Sequence, residues 1–118
     1  MDISGRHEEA GEYLMVAAAV HASVGSGRLH SVLGMGFARS TAEPTFDATV
    51  TLVADALGRL PEPPDCTVVA EHGEFYEEPA WTVGQHLGAE FKYVESIAER
   101  ETVQVAHHAA YAGRQLLL

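Results

Sequence analysis

Two apolar runs, Tyr13 to Ala22 and Leu29 to Ala38, flank the stretch Val24-Gly25-Ser26-Gly27, and this arrangement constrains the chain more than any other feature. Alone, Tyr13 to Ala22 carries Val, Met and Ala on both alternating faces. It reads either as a strand covered on both sides or as an alanine-rich helix. The second run favours the strand over the helix. Leu29, Ser31, Leu33, Met35 and Phe37 fall on one face of a strand, while Gly34 and Gly36 thin the other. A glycine turn between the runs makes them an antiparallel hairpin. Before it, Met1 to Arg6 reads as the end of a short strand entering a glycine turn, with Asp2 at its mouth, and His7 to Glu12 as a polar connection.

After the hairpin the periodicity changes. Phe46, Val50, Val53, Leu57 and Leu60 recur at steps of four and three behind Pro44-Thr45, giving a helix with one apolar stripe. Gly58 and Pro61-Glu62-Pro63-Pro64 close it. Cys66 to Ala70 has the length of a strand and ends in Glu71-His72-Gly73-Glu74. Glu78-Pro79 opens a shorter helix through Trp81 and Leu87 to Gly88, and Phe91 to Val94 is another strand. Ser96 and Glu99 form a capping-box pattern that starts a last helix, Ser96 to Leu118, centred on Val105 to Ala112 with its paired His107 and His108. The order β-β-β-α-β-α-β-α predicts an α/β domain: a hairpin meander, then right-handed crossovers, with helices on both faces of one mixed sheet. At 118 residues and 47% hydrophobic content, one domain spanning 1–118 is expected.

Charge narrows the function. The chain has 7 Lys+Arg against 17 Asp+Glu, a formal charge of −10, and Lys92 is its only lysine. This composition resembles that of a haloarchaeal cytosolic protein, whose carboxylate-rich surface stays soluble in high salt. It argues against a nucleic-acid binder that relies on a basic patch, although salt near 1 M shortens the reach of repulsion to about 3 Å. Cys66 is the single cysteine, so no intrachain disulfide forms and a reducing, cytoplasmic location is expected. The run Leu14 to Val20 falls far short of the roughly 20 residues that span a bilayer. Gly34-Met35-Gly36 lacks the third glycine and following helix of a dinucleotide fingerprint, and neither a P-loop nor a nucleophile elbow occurs.

The element order is that of the ribonuclease H-like fold, and several residues carry the resemblance further. Asp2-Ile3-Ser4-Gly5-Arg6 resembles the Asp-x-x-Gly-Ser/Arg strand end of that superfamily's Holliday-junction resolvases. Glu71 resembles the acidic residue they place at the end of the fourth strand, and His108-Ala109-Ala110-Tyr111-Ala112 resembles their last-helix motif His/Asp-Ala-Ala-Asp-Ala. The whole chain also resembles an uncharacterised archaeal domain family that opens with Asp-x-Ser-Gly-Arg-His. The resemblance implies a mixed five-stranded sheet with helices on both faces, and hydrolysis of phosphodiesters. Tyr111 stands where the motif has an acid.

The chemistry can also be argued from the residues. Two Mg²⁺ or Mn²⁺ ions about 3.5–4 Å apart stabilise the attacking and leaving oxygens of phosphodiester hydrolysis, and hard cations need carboxylates converging from different elements. Asp2, Glu71 and His108 are the candidate metal ligands and catalytic groups, with Glu74, Asp47 and His72 in support. Each has a plainer reading. Asp2 can cap a turn, and Glu71 and Glu74 can be solvated acids of an acidic loop. Asp47 favours the helix dipole, and His72 can be an ordinary loop residue. Adjacent His107 and His108 project about 100° apart, so they cannot both face one metal.

Two functions follow as expectations. One is a metal-dependent nuclease acting on nucleic acid. The other is a catalytically decayed relative acting as a non-enzymatic assembly or binding module, in which the edge of the Leu29 to Ala38 strand can pair across a two-fold axis into a homodimer.

Overall fold

A computed structural model describes residues 1–61 and 66–118. The elements follow the expected order: β1 (Asp2–Ser4), β2 (Met15–Gly25), β3 (Arg28–Ser40), α1 (Phe46–Gly58), β4 (Val68–Ala70), α2 (Ala80–Leu87), β5 (Phe91–Tyr93) and α3 (Ile97–Leu117). The Tyr13 to Ala22 run is thus strand from Met15 onward, and the turn beyond it tightens to Ser26-Gly27, with Gly27 at φ +83°. Of the expected helix stop, Glu62, Pro63 and Pro64 lie outside the described residues.

The helix ends obey their local chemistry. Thr45 caps α1 by accepting a hydrogen bond from the Ala48 N–H at 3.1 Å. Ser96 and Glu99 form the full capping box of α3, and Gly88 ends α2 in the left-handed conformation at φ +70°.

The five strands form a β1-β2-β3 sheet, antiparallel throughout, and a separate parallel pair, β4-β5. The single five-stranded sheet expected from the element order is therefore divided. The reason lies in the outer edge of β1. Its flank toward β4 offers one main-chain bond, from the Met1 amino group to the Val69 carbonyl at 3.0 Å. The next outward N–H, that of Ile3, donates to the Glu74 carboxylate at 2.9 Å instead of to a strand carbonyl. With three residues and one of its donors spent on a side chain, β1 builds no ladder with β4.

The β2-β3 hairpin buries the side that its side chains do not fill. Ala17, Ala19 and Ala38 join Met15, Ile3, Val50, Leu52, Val53, Ala56, Phe75 and Phe91 in the main core, against α1 and the second sheet. Gly36 lies on this face, and a Cβ there would stand 2.3 Å from the Ala56 carbonyl oxygen. The glycines that thin β3 are what let the α1 backbone close on the sheet. The opposite face, with Val16, Ala18, Met35 and Phe37, meets α3 through Gly113, where an added Cβ would touch Val16 and Phe37 at 3.5 and 3.6 Å. The expected alternation also breaks. Register shifts leave Leu33 and His30 without partners in β2, because His21 pairs with Gly34, Ala22 with Val32 and Val24 with Leu29.

Gly36→Ala should consequently cost about 1–3 kcal/mol, the range for overpacking a filled interior, since the obstructing atom is helix backbone. Urea denaturation of the variant checks this; an unchanged midpoint would contradict the packing described.

Candidate functional site

The residues with most chemistry meet where β1, the turn after β4 and α3 come together. Asp2 is 6% exposed, and its Oδ2 lies 3.1 Å from His107 Nδ1. Pairing Asp2 with Ala18 across the ladder puts its side chain on the α3 side of the sheet. His107 reaches it because the helix period runs Val103, His107, Ala110, Arg114 down one flank, and Val103, Ala110 and Arg114 are buried.

Glu74 arrives from the other side. After β4 the chain turns through Gly73 at φ +86°, with the Glu74 N–H donating to the Glu71 carbonyl at 3.3 Å. That turn carries the Glu74 carboxylate back to the Ile3 N–H and to Arg6, 3.0 Å away. Arg6 also donates to the Glu74 carbonyl oxygen and lies 5.5 Å from the Tyr76 ring centre. Tyr76 and Glu77 both take left-handed backbone, at φ +56° and +62°, a costly conformation for non-glycine residues.

Burial costs these acids. Desolvation raises the Asp2 pKa above the ordinary carboxylate value, with the His107 contact pulling part of the way back. Glu74 is raised as well, by burial first and then by the charge of Asp2, against the opposing effect of Arg6. The buried Met1 amino group is lowered to about 6, again by desolvation.

Other candidate residues lie apart from this cluster. Glu71 pairs with Arg100 at 3.4 Å on the exposed side. His108 is exposed, with its ring 5.4 Å from that of His107. His72 stacks on Tyr93 at 5.2 Å and contacts the Val94 carbonyl at 3.1 Å. Asp47 is exposed in the first turn of α1, and Tyr111 is 56% exposed. The structure thus brings Asp2 together with His107 and Glu74, rather than with His108 and Glu71. Among the described residues, no three His, Cys, Asp or Glu side chains are gathered so that they could hold a metal ion.

Arg6 and Arg114 were not among the sequence candidates, and His107 was weighed beside His108 but passed over for it. Arg114 is 8% exposed, donates from Nε to the Leu14 carbonyl at 2.8 Å, and packs where Gly5 has no side chain. A signal for His107 and Arg114 did exist, in their spacing of seven on one helix.

A family model described as an uncharacterised protein conserved in archaea (DUF2209) matches residues 1–118. The chain belongs to this family. No curated protein and no solved structure matches it. Among the described residues, no DUF2209 helix is long and apolar enough to cross a membrane.

The raised acids give this DUF2209 chain a definite pH response. Just above the ordinary values of 3.8 and 4.5, the unfolded chain has lost protons that folded Asp2 and Glu74 still hold. Folding therefore takes up protons, and stability contributed by these groups falls as pH rises through that window. Asp2→Asn removes one of the two ionisations. Its unfolding midpoint relative to wild type should rise as pH increases through and above those ordinary values; a relative midpoint that falls over the same interval would contradict the burial cost.

Proposed function

We propose that this chain is a ribonuclease H-like domain whose acidic site has become a closed charge network, leaving the fold to work as a non-enzymatic assembly or binding module. In this reading the two sheets are halves of one surface ordered β3-β2-β1-β4-β5, meeting at the Met1–Val69 hydrogen bond. The single supporting observation is that both buried carboxylates already have protein partners: Asp2 has His107, and Glu74 has Arg6 and the Ile3 amide. A hard cation requires several oxygens free to turn toward it. The side chains as arranged do not fit Mg²⁺ or Mn²⁺. Tyr111, exposed where the resembled motif carries an acid, agrees with that loss.

A second reading, a metal-dependent nuclease hydrolysing phosphodiesters, is favoured by one specific observation. Asp2 and Glu74 are both buried at a cost, and the charge of Asp2 adds to the cost at Glu74. Positive charge entering there would relieve it, provided Arg6 moved off Glu74. Asp2, Glu74 and His107 would then be the donors, in place of the expected Asp2, Glu71 and His108. A charge of −10 with one lysine still leaves few groups to hold a nucleic acid.

Calorimetric titration of Mn²⁺ at molar salt separates the two, with cleavage assays on branched, hybrid and single-stranded substrates alongside. The module reading expects no saturable heat and no Mn²⁺-dependent cleavage. Saturable binding by the wild type that Asp2→Asn abolishes would overturn it in favour of the nuclease.

A further inference from the structure

Among the described residues, the outer strand β3 has one unpartnered edge. It is the end strand of its sheet, it runs for thirteen residues, and no described strand lies against its outer edge. Such an edge presents a row of free main-chain donors and acceptors. Only its first turn is guarded: the Leu29 N–H donates to the Glu101 carboxylate at 2.8 Å. The bulges fall at His30 and Leu33, so Gly34 to Ser40 is the regular part, paired without interruption to Met15 through His21.

The face beside this edge is also unfinished. Val32, Leu33, Met35 and Phe37 are 40, 60, 38 and 40% exposed, and Leu116 and Leu117 of α3, at 87 and 45%, line a groove with Phe37. Charge distinguishes the strand from its surroundings. In a chain of net charge −10, β3 has no acidic residue and carries Arg28 and Arg39 near its ends. Two copies approaching through most other surfaces bring acid against acid; approaching through β3, they do not.

We propose that β3 pairs antiparallel with β3 of a second copy across a two-fold axis, centred within Gly34 to Ser40, to form a continuous six-stranded sheet. A second copy fits better than a foreign strand because isologous pairing satisfies both edges at once and closes the assembly. A stable interface takes about 800 Å² from each partner, roughly an eighth of the 6686 Å² surface. A strand edge alone is too narrow to supply it, and Met35, Phe37, Leu116 and Leu117 provide the remainder. The dimer gives the module reading its partner, and it does not depend on Asp2 or Glu74.

Equilibrium sedimentation at molar salt tests it. The wild type should have twice the 12.7 kDa chain mass. Met35→Glu, a surface change that adds charge beside the edge, should weaken association roughly tenfold or more while the circular dichroism stays unchanged. Trp81→Glu, on exposed α2, should remain a dimer. A wild type that is monomeric at high concentration, leaving β3 to some other protein, would overturn the dimer without touching the metal-free reading; so would a dimer that survives Met35→Glu.

Discussion

The hydrogen bond from the Ile3 amide to the Glu74 carboxylate is the contact on which this structure turns. It takes the donor that β1 would otherwise offer to β4, and the strands consequently fall into two sheets. It also brings a carboxylate into a buried place, where Arg6 must answer it. Asp2, one residue earlier in the strand and on the α3 side of the sheet, is answered by His107. One short strand thereby joins the turn after β4 to the last helix. The join rests on polar groups whose burial is costly and whose pairing offsets that cost.

The same economy of space governs the hairpin. Alanines at 17, 18 and 19 and glycine at 36 make β2 and β3 thin enough for backbone to approach from both faces. α1 and the second sheet pack on one face. α3 crosses the other at Gly113 and leaves the outer half of β3 uncovered. Close approach on one side and an apolar, acid-free edge on the other are thus two consequences of one strand, whose larger side chains point away from the main core.

Element order was legible because its punctuation is local: Gly5, Ser26-Gly27, Thr45, Gly88 and the Ser96–Glu99 box each act within a few residues of themselves. What escaped was set by distant partners. The division of the sheet depends on a side chain 71 residues from the amide it binds. Alternation in β3 told which residues share a face, but the closeness of α1 determined which face is covered. At the site, motif resemblance selected His108 and Glu71, whereas the helix period and the turn at Gly73 bring in His107 and Glu74. Asp2 was recognised from the Ser-Gly that follows it, and it reaches α3 at His107, as Glu71 reaches the same helix at Arg100.

The claim that Asp2 and Glu74 belong to one buried electrostatic unit is tested most directly by a double-mutant cycle of Asp2→Asn and Glu74→Gln, measured by denaturation. At neutral pH each substitution removes the same repulsion, which can be relieved only once, so the double variant should be less stable than the sum of the two single effects predicts by at least about 0.5 kcal/mol. The shortfall should vanish in acid, where both carboxylates are protonated. Strict additivity at neutral pH would mean that the two acids do not sense one another, and the account of the site would fail.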